Sequence, residues 1–381
     1  MQIQPYYNFK KTMSLPLSEK EFFLELFRGK TLCLSLISYE GAEAIAAFEM
    51  SLKELVAADI RLVLLIRENG PKGCHREFSF LTDHDYCWHS SQSQTPPSLP
   101  ADLWKQKSGI FPILIEAVDT ATFLERIVTL SVSWRISRMI FIEERGGITD
   151  ERGNLANFIN FKRLSELNHS LELADQYFYK ILLKSIHTLL SHGVGAVGLC
   201  RMIDFQRELF TYEGCGTFFS CKHYCEVRGL VWDDFPKVAA LIHQGVKENY
   251  LLPRSEERIS KILLNGFGAF IAIHHLAGIC GLFTEGYERE NAGEVVALYA
   301  LTRFQGEGIG VRLVQRLKEE GQEKGLAYLF ACTHQSKVMD FFQRQGFIAA
   351  ESSQIPQAKW DGYDPARKDS VRCFVFNLKE Q

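Results

Sequence analysis

The stretch GEVVALYALTRFQGEGIG, residues 293–310, decides the fold of the second half of the chain. An apolar, strand-like run ends in Gln305-Gly306-Glu307-Gly308-Ile309-Gly310. A helical pattern begins at once, with Ile309, Leu313 and Leu317 four residues apart and Val314 beside them. A strand that feeds a glycine-rich turn at a helix N-terminus is a site for phosphate. The first four amides of the helix lack internal partners, and glycines let the backbone approach an anion closely. The spacing is neither G-x-G-x-x-G nor G-x-x-x-x-G-K-S/T. It is Q-x-x-G-x-G.

Around this stretch the periodicity predicts a layered unit over about residues 224–381. Helical patterns come first, in DDFPKVAALIHQGVKEN and in SEERISKILLNG, which Ser255 opens as an N-cap. FGAFIAIHH and LAGICGLF then pair as a hairpin, and the quoted strand, turn and helix follow. LAYLFACT, SKVMDFFQRQGF and VRCFVFNL (371–378) close the chain as strand, helix and strand.

The preceding residues alternate strand-like and helix-like segments. TLCLSLI (31–37), RLVLLI (61–66), ILIEA (113–117), RMIFIE (138–143) and GVGAVGL (193–199) are short apolar runs of the kind that fill a buried parallel sheet. GAEAIAAFEMSLKELVAA (41–58) and LELADQYFYKILLKSIHTLLS (171–191) read as helices. This alternation predicts an α/β domain with a mostly parallel sheet. Residues 67–109 break the order with a polar, Pro- and Ser-rich tract and read as a long loop.

A chain of 381 residues with 46% apolar and 12% aromatic side chains suits two domains. A net charge of −3 gives no general attraction to nucleic acid or to an anionic membrane. No apolar run reaches the roughly 18 residues of a membrane span, and the N-terminus lacks the apolar core of a signal peptide, so a cytoplasmic protein is expected. Cys215, Cys221 and Cys225, with His223, are the nearest approach to a metal set. Without a second pair at finger-like spacing, free thiols are the preferred reading and no metal is expected. His75, His84, His89 and His187 have no ligand spacing either.

The Q-x-x-G-x-G turn resembles the acetyl-CoA pyrophosphate loop of the GNAT N-acetyltransferases. The order of elements, ending in Arg344-Gln345-Gly346-Phe347, is similar to a complete domain of that family. Three further segments resemble the N-acetylglutamate synthase family: Glu208 to Thr217 (ELFTYEGCGT), Leu252-Pro253-Arg254-Ser255, and Ile355-Pro356 followed by Lys359, Tyr363 and Arg367. Arg28-Gly29-Lys30-Thr31, Arg138-Met139-Ile140-Phe141 and Gly147-Ile148-Thr149-Asp150 resemble parts of its amino-acid kinase-like domain. The resemblance implies a shortened, non-catalytic kinase-like domain over residues 1–222 and a GNAT domain with a mixed sheet over 223–381.

It also implies acetyl transfer from acetyl-CoA to L-glutamate, the first step of arginine biosynthesis, with no metal. L-arginine is the implied effector, with the Glu208–Thr217 stretch contributing; the other reading of that stretch is a helix end at an interdomain hinge. Homo-oligomers through the kinase-like domain are a further implication. Leu298, Tyr299 and Ala300 would hold pantetheine with their amides, and Gln305, Gly306, Glu307, Gly308, Ile309 and Gly310 would hold the pyrophosphate. Glu294 is the implied general base. Phe342 stands where many GNAT enzymes carry a thiolate-protonating Tyr, which leaves Ser336 as a candidate acid. Arg254 and Arg367 would bind carboxylates, with Lys359 and Tyr363 beside the second. Asp369 falls at a serine position of the family. A GNAT enzyme for another amine, and a non-catalytic acetyl-CoA sensor, remain open.

Overall fold

The computed structural model describes residues 19–38, 40–68, 78, 88–90, 105–149, 153–170, 177–220, 225–271, 275–304, 307–361, 363, 368 and 370–379. The chain runs α1 (Glu19–Phe27), β1 (Thr31–Leu36), α2 (Ala42–Ala57), β2 (Arg61–Arg67), β3 (Trp88–Ser90), β4 (Gly109–Ile115), α3 (Thr120–Ser133), β5 (Arg138–Ile142), β6 (Phe158–Asn160), α4 (Phe161–Ser170), α5 (Tyr177–Ser191), β7 (Ala196–Cys200), α6 (Phe205–Phe210) and β8 (Thr217–Ser220). These strands form one sheet of order β3-β4-β2-β1-β5-β7-β8-β6. Every pair is parallel except β7 with β8.

The central strands are mostly apolar, with Ser35 of β1 an exception, because helices cover both faces. Leu32, Leu34 and Leu36 of β1 pack on one side with Phe48, Leu52 and Leu55 of α2. Cys33 points to the other side, among Phe123 and Ile127 of α3 and Leu182 and Ile186 of α5. Alternate residues of one strand thus enter two cores, which makes three layers. The polar 67–109 tract concealed β3, which pairs with β4 from Trp88↔Ile113 to Ser90↔Ile115. His75 and His84 lie outside the described residues, as do residues 171–176 at the head of the expected helix.

After Ser220 the chain enters a second sheet. It comprises β9 (Cys225–Gly229), α7 (Phe235–Lys247), α8 (Glu256–Leu264), β10 (Gly266–Ile271), β11 (His275–Phe283), β12 (Ala292–Ala300), α9 (Ile309–Glu323), β13 (Tyr328–Thr333), α10 (Ser336–Arg344), β14 (Ile348–Ala350), α11 (Gln357–Trp360) and β15 (Arg372–Asn377). The order is β14-β15-β13-β12-β11-β10-β9. Only β12 and β13 pair in parallel, and α9 is the crossover that such a pair requires. Its buried residues are Ile309, Leu313, Val314, Leu317 and Gly321, the stripe that the sequence spacing sets out. Ser255 caps α8 by accepting from the Arg258 amide at 3.3 Å.

The two sheets share a core. One cluster joins Phe23, Phe48 and Phe210 of the first with Leu241, Ile279, Phe304 and Leu313 of the second.

Candidate active site

The site forms where β12 and β13 part. Their pairing covers only Ala292–Glu294 against Tyr328–Phe330. From Val295 onward, among the described residues, no strand pairs with β12 on that side. A bulge helps to separate them. Three residues of β12 (Ala297, Leu298, Tyr299) advance against two of β11 between the pairs Gly281↔Val296 and Ile279↔Tyr299. Ala297 takes φ 51°, a left-handed conformation rare outside glycine. A bulge bends its strand and re-aims the side chains beyond it. The freed edge opens into a cavity of about 510 Å³.

That cavity brings Leu298, Tyr299 and Ala300 together with Gly308, Ile309 and Gly310. Gly308 caps α9 with φ 79° and ψ 7° and offers no side chain to the helix amides. No acidic residue occupies the first turn. The N-terminus therefore keeps its partial positive charge for a ligand. Gln305 and Gly306 lie outside the described residues. Glu307 does not line the cavity, because its carboxylate turns to the first domain and accepts from Asn160 Nδ2 at 2.8 Å. Ser336 is exposed on the first turn of α10. Its neighbour Lys337 lines the cavity, as do Asp340 and Arg344.

Lys337 escaped sequence reading, and Arg344 was read only as part of the closing Arg344–Phe347 motif, not as a cavity residue. Their seven-residue spacing on one helix face was the available signal. Glu248 escaped it too, and nothing local marks it. Its Oε2 accepts from Tyr299 Oη at 2.8 Å and from Thr302 Oγ1 at 2.6 Å, bracing the end of β12. Burial and the Glu248 charge push the Tyr299 hydroxyl well above its usual range.

A second group of side chains gathers around Glu294, which is 4% exposed. Tyr287 Oη donates to Glu294 Oε2 at 2.7 Å, and the Lys359 ammonium donates to Oε1. Burial, then the adjacent Glu294 charge, raise the Tyr287 hydroxyl far above its ordinary value, so it stays a donor. Lys359 lies 5.5 Å from the centre of the Tyr363 ring. Cys332 and Cys373, paired across β13 and β15, have sulfurs 3.6 Å apart beside this group.

Arg254 faces the same region. Burial lowers its guanidinium from the ordinary value, the Arg258 charge adds to that, and Glu294 opposes it. Its Nε is sealed from solvent with no hydrogen-bond partner among the described residues. A buried donor left without an acceptor is costly, so the position suits an incoming carboxylate. Arg367 and Asp369 lie outside the described residues. No group of three metal-ligating side chains occurs among the described residues; Cys221 and His223 are not among them.

Residues 226–347 match the Acetyltransferase (GNAT) family. The C-terminal region is a GNAT acetyltransferase domain. The match takes in β12, the parted edge and α9 of this GNAT domain. Over a longer stretch the chain is similar to the amino-acid acetyltransferase of Ralstonia nicotianae, 26% identical over 250 residues, 62% of this chain and 52% of that protein. The amino-acid acetyltransferase of Photorhabdus laumondii is 24% identical over 262 residues, 66% of this chain and 56% of that protein. The chain thus spans about half the length of the curated relatives it matches. Among solved structures, N-acetylglutamate synthase from Neisseria gonorrhoeae, complexed with coenzyme A and L-arginine, superposes with a TM-score of 0.56 at 19% identity. That superposition covers 95% of this chain and 98% of the other. The whole chain, both sheets included, therefore shares the α/β fold of that structure.

Proposed function

We propose that the protein transfers the acetyl group of acetyl-CoA to the amine of L-glutamate, giving N-acetyl-L-glutamate and CoA at the head of arginine biosynthesis in the cytoplasm. The observation that carries this reading is the parted edge of β12 opening onto the N-terminus of α9, whose amides no side chain caps. Leu298–Ala300 present peptide groups to pantetheine and to the thioester carbonyl, and the amides at Gly308–Gly310 face the pyrophosphate. Lys337 and Arg344 add positive charge to the same cavity. Acetyl-CoA supplies the activated acyl group, so no covalent enzyme intermediate is required.

The chain's own residues position, deprotonate and stabilise. Glu294 accepts a proton from the substrate ammonium while Tyr287 and Lys359 hold its two oxygens. The amine attacks the carbonyl carbon, and a β12 amide stabilises the oxygen as it gains charge. The C–S bond then breaks as the nitrogen gives up its second proton to solvent, and the departing thiolate takes a proton from solvent or from a hydroxyl such as Ser336, which water reprotonates. Arg254, whose Nε has no partner among the described residues, takes a carboxylate of the acceptor, and Arg367 the other, which favours a dicarboxylate amino acid over a simple amine.

L-Arginine is proposed as an effector that acts only at millimolar concentration. The Glu208 carboxylate already holds the guanidinium of Arg303, and a tethered group competes at an effective concentration of that order or above. Assembly through the kinase-like domain is proposed as well, and sedimentation checks it. The deciding experiment follows CoA thiol release with a panel of amino acids, with and without L-arginine. Turnover with glutamate alone supports the reading. Turnover with another acceptor sinks glutamate, and CoA binding without any turnover favours a sensor.

A further inference from the structure

The acetyl-CoA loop is fastened to the first domain at both of its described ends. Arg303, in the 3-10 turn Thr302–Phe304 just before the loop, sends its guanidinium across the domain junction. Its Nη2 donates to Glu208 Oε1 at 2.7 Å and its Nε to the Asn157 carbonyl at 3.2 Å. Both side chains of the pair are only 6% exposed. The other Glu208 oxygen accepts from the amides of Cys215 and Gly216, each at 2.8 Å. Gly214 makes room with φ 61°, since a Cβ there would lie 2.0 Å from Arg303 Nη1. The cradle is thus shaped around a guanidinium. Phe304 adds an apolar wedge, with its ring centre 5.1 Å from that of Phe158 and 5.6 Å from that of His275. On the other side of the loop, Glu307 accepts from Asn160.

We infer that Glu208 and Asn160 of the first domain are positioning residues for acetyl-CoA, acting through Arg303 and Glu307 on the loop that carries the pyrophosphate amides. The inference rests on the acetyltransferase reading. Gly308, at φ 79°, and Gly310 have more backbone freedom to lose than other residues. Ordering the loop on binding subtracts from affinity. Anchors on both sides meet that cost in the folded protein, before the ligand arrives. The N-terminal domain is then part of the acetyl-CoA site without touching acetyl-CoA.

The test measures CoA binding by calorimetry on the full chain. Asn160→Asp keeps the side-chain acceptor that caps the amide of Arg163, but sets a carboxylate against Glu307. Affinity for CoA is expected to fall about tenfold, with a small fall in melting temperature and a single unfolding transition retained. Adding Glu307→Gln to Asn160→Asp restores a donor across the junction and returns most of that affinity. Arg303→Ala weakens CoA binding to a similar extent, and millimolar guanidinium ion restores it by refilling the cradle. Should Arg303→Ala fail to fold, the Asn160 pair still decides. Wild-type binding with an Asn160→Asp affinity within twofold of it overturns the inference alone. No CoA binding by the wild type overturns the acetyltransferase reading itself.

Discussion

At Glu294 two donors converge on one buried carboxylate, and each holds a different oxygen. Held this way the carboxylate has little freedom to turn, which suits the base proposed for the amine. Glu294→Gln keeps the shape and removes the proton acceptor, so kcat is expected to fall roughly a hundredfold or more. CoA binding should stay near wild type, because Glu294 does not line the CoA cavity. Thiol-release kinetics beside calorimetric CoA titration check both halves. Arg254 separates acceptor from donor. Its truncation to Ala should raise the KM for glutamate about tenfold to a hundredfold, the range of a hydrogen bond to a charged group. The KM for acetyl-CoA should not move. These residues come from the loop before α8, from β12 and from α11. The family motifs name them singly, and only the fold shows that Lys359, beside Tyr363, also meets Glu294.

At the scale of elements, the strand–turn–helix of β12 and α9 was legible because its signals are local. The apolar stripe Ile309, Leu313, Leu317 and the glycine at the cap each report their own neighbourhood. The bulge was not legible. Its left-handed residue is Ala297, which carries no mark of that conformation, whereas a glycine would have. Strand β3 was hidden because the residues on both sides of it are polar and lack period. The Glu208–Thr217 stretch read either as a contributor to an arginine site or as a helix end at an interdomain hinge, and the structure pairs Glu208 with the guanidinium of Arg303, 95 residues on. No local pattern could have paired them. Gly308→Ala tests the loop at this scale. A side chain at φ 79° should cost about 1–2 kcal/mol, seen as a lower melting temperature. CoA affinity should fall with it, as the first amides of α9 turn away from the anion.

At the scale of the molecule, the domain junction contains an imidazole that must stay neutral. The Nε2 of His275 is sealed from solvent and has no hydrogen-bond partner among the described residues. Burial lowers its pKa to about 3, and the charges of Arg138, Arg303 and Lys237 act in the same sense. In the unfolded chain the same ring titrates near 6.5. Between those values the unfolded state binds the extra proton, so stability rises with pH across the window and is lost as pH falls through it. His275→Phe should flatten that slope relative to wild type in melting curves recorded from pH 7 to pH 4. An unchanged slope would show that the ring reaches water.

The apolar cluster that passes from Phe48 and Phe210 to Ile279 and Leu313 without a break has a thermal consequence. Two sheets that bury one another's side chains cannot come apart in turn, since losing either leaves the other's oil face in water. Heating should therefore produce a single endotherm whose calorimetric and van't Hoff enthalpies agree, despite the two-domain architecture.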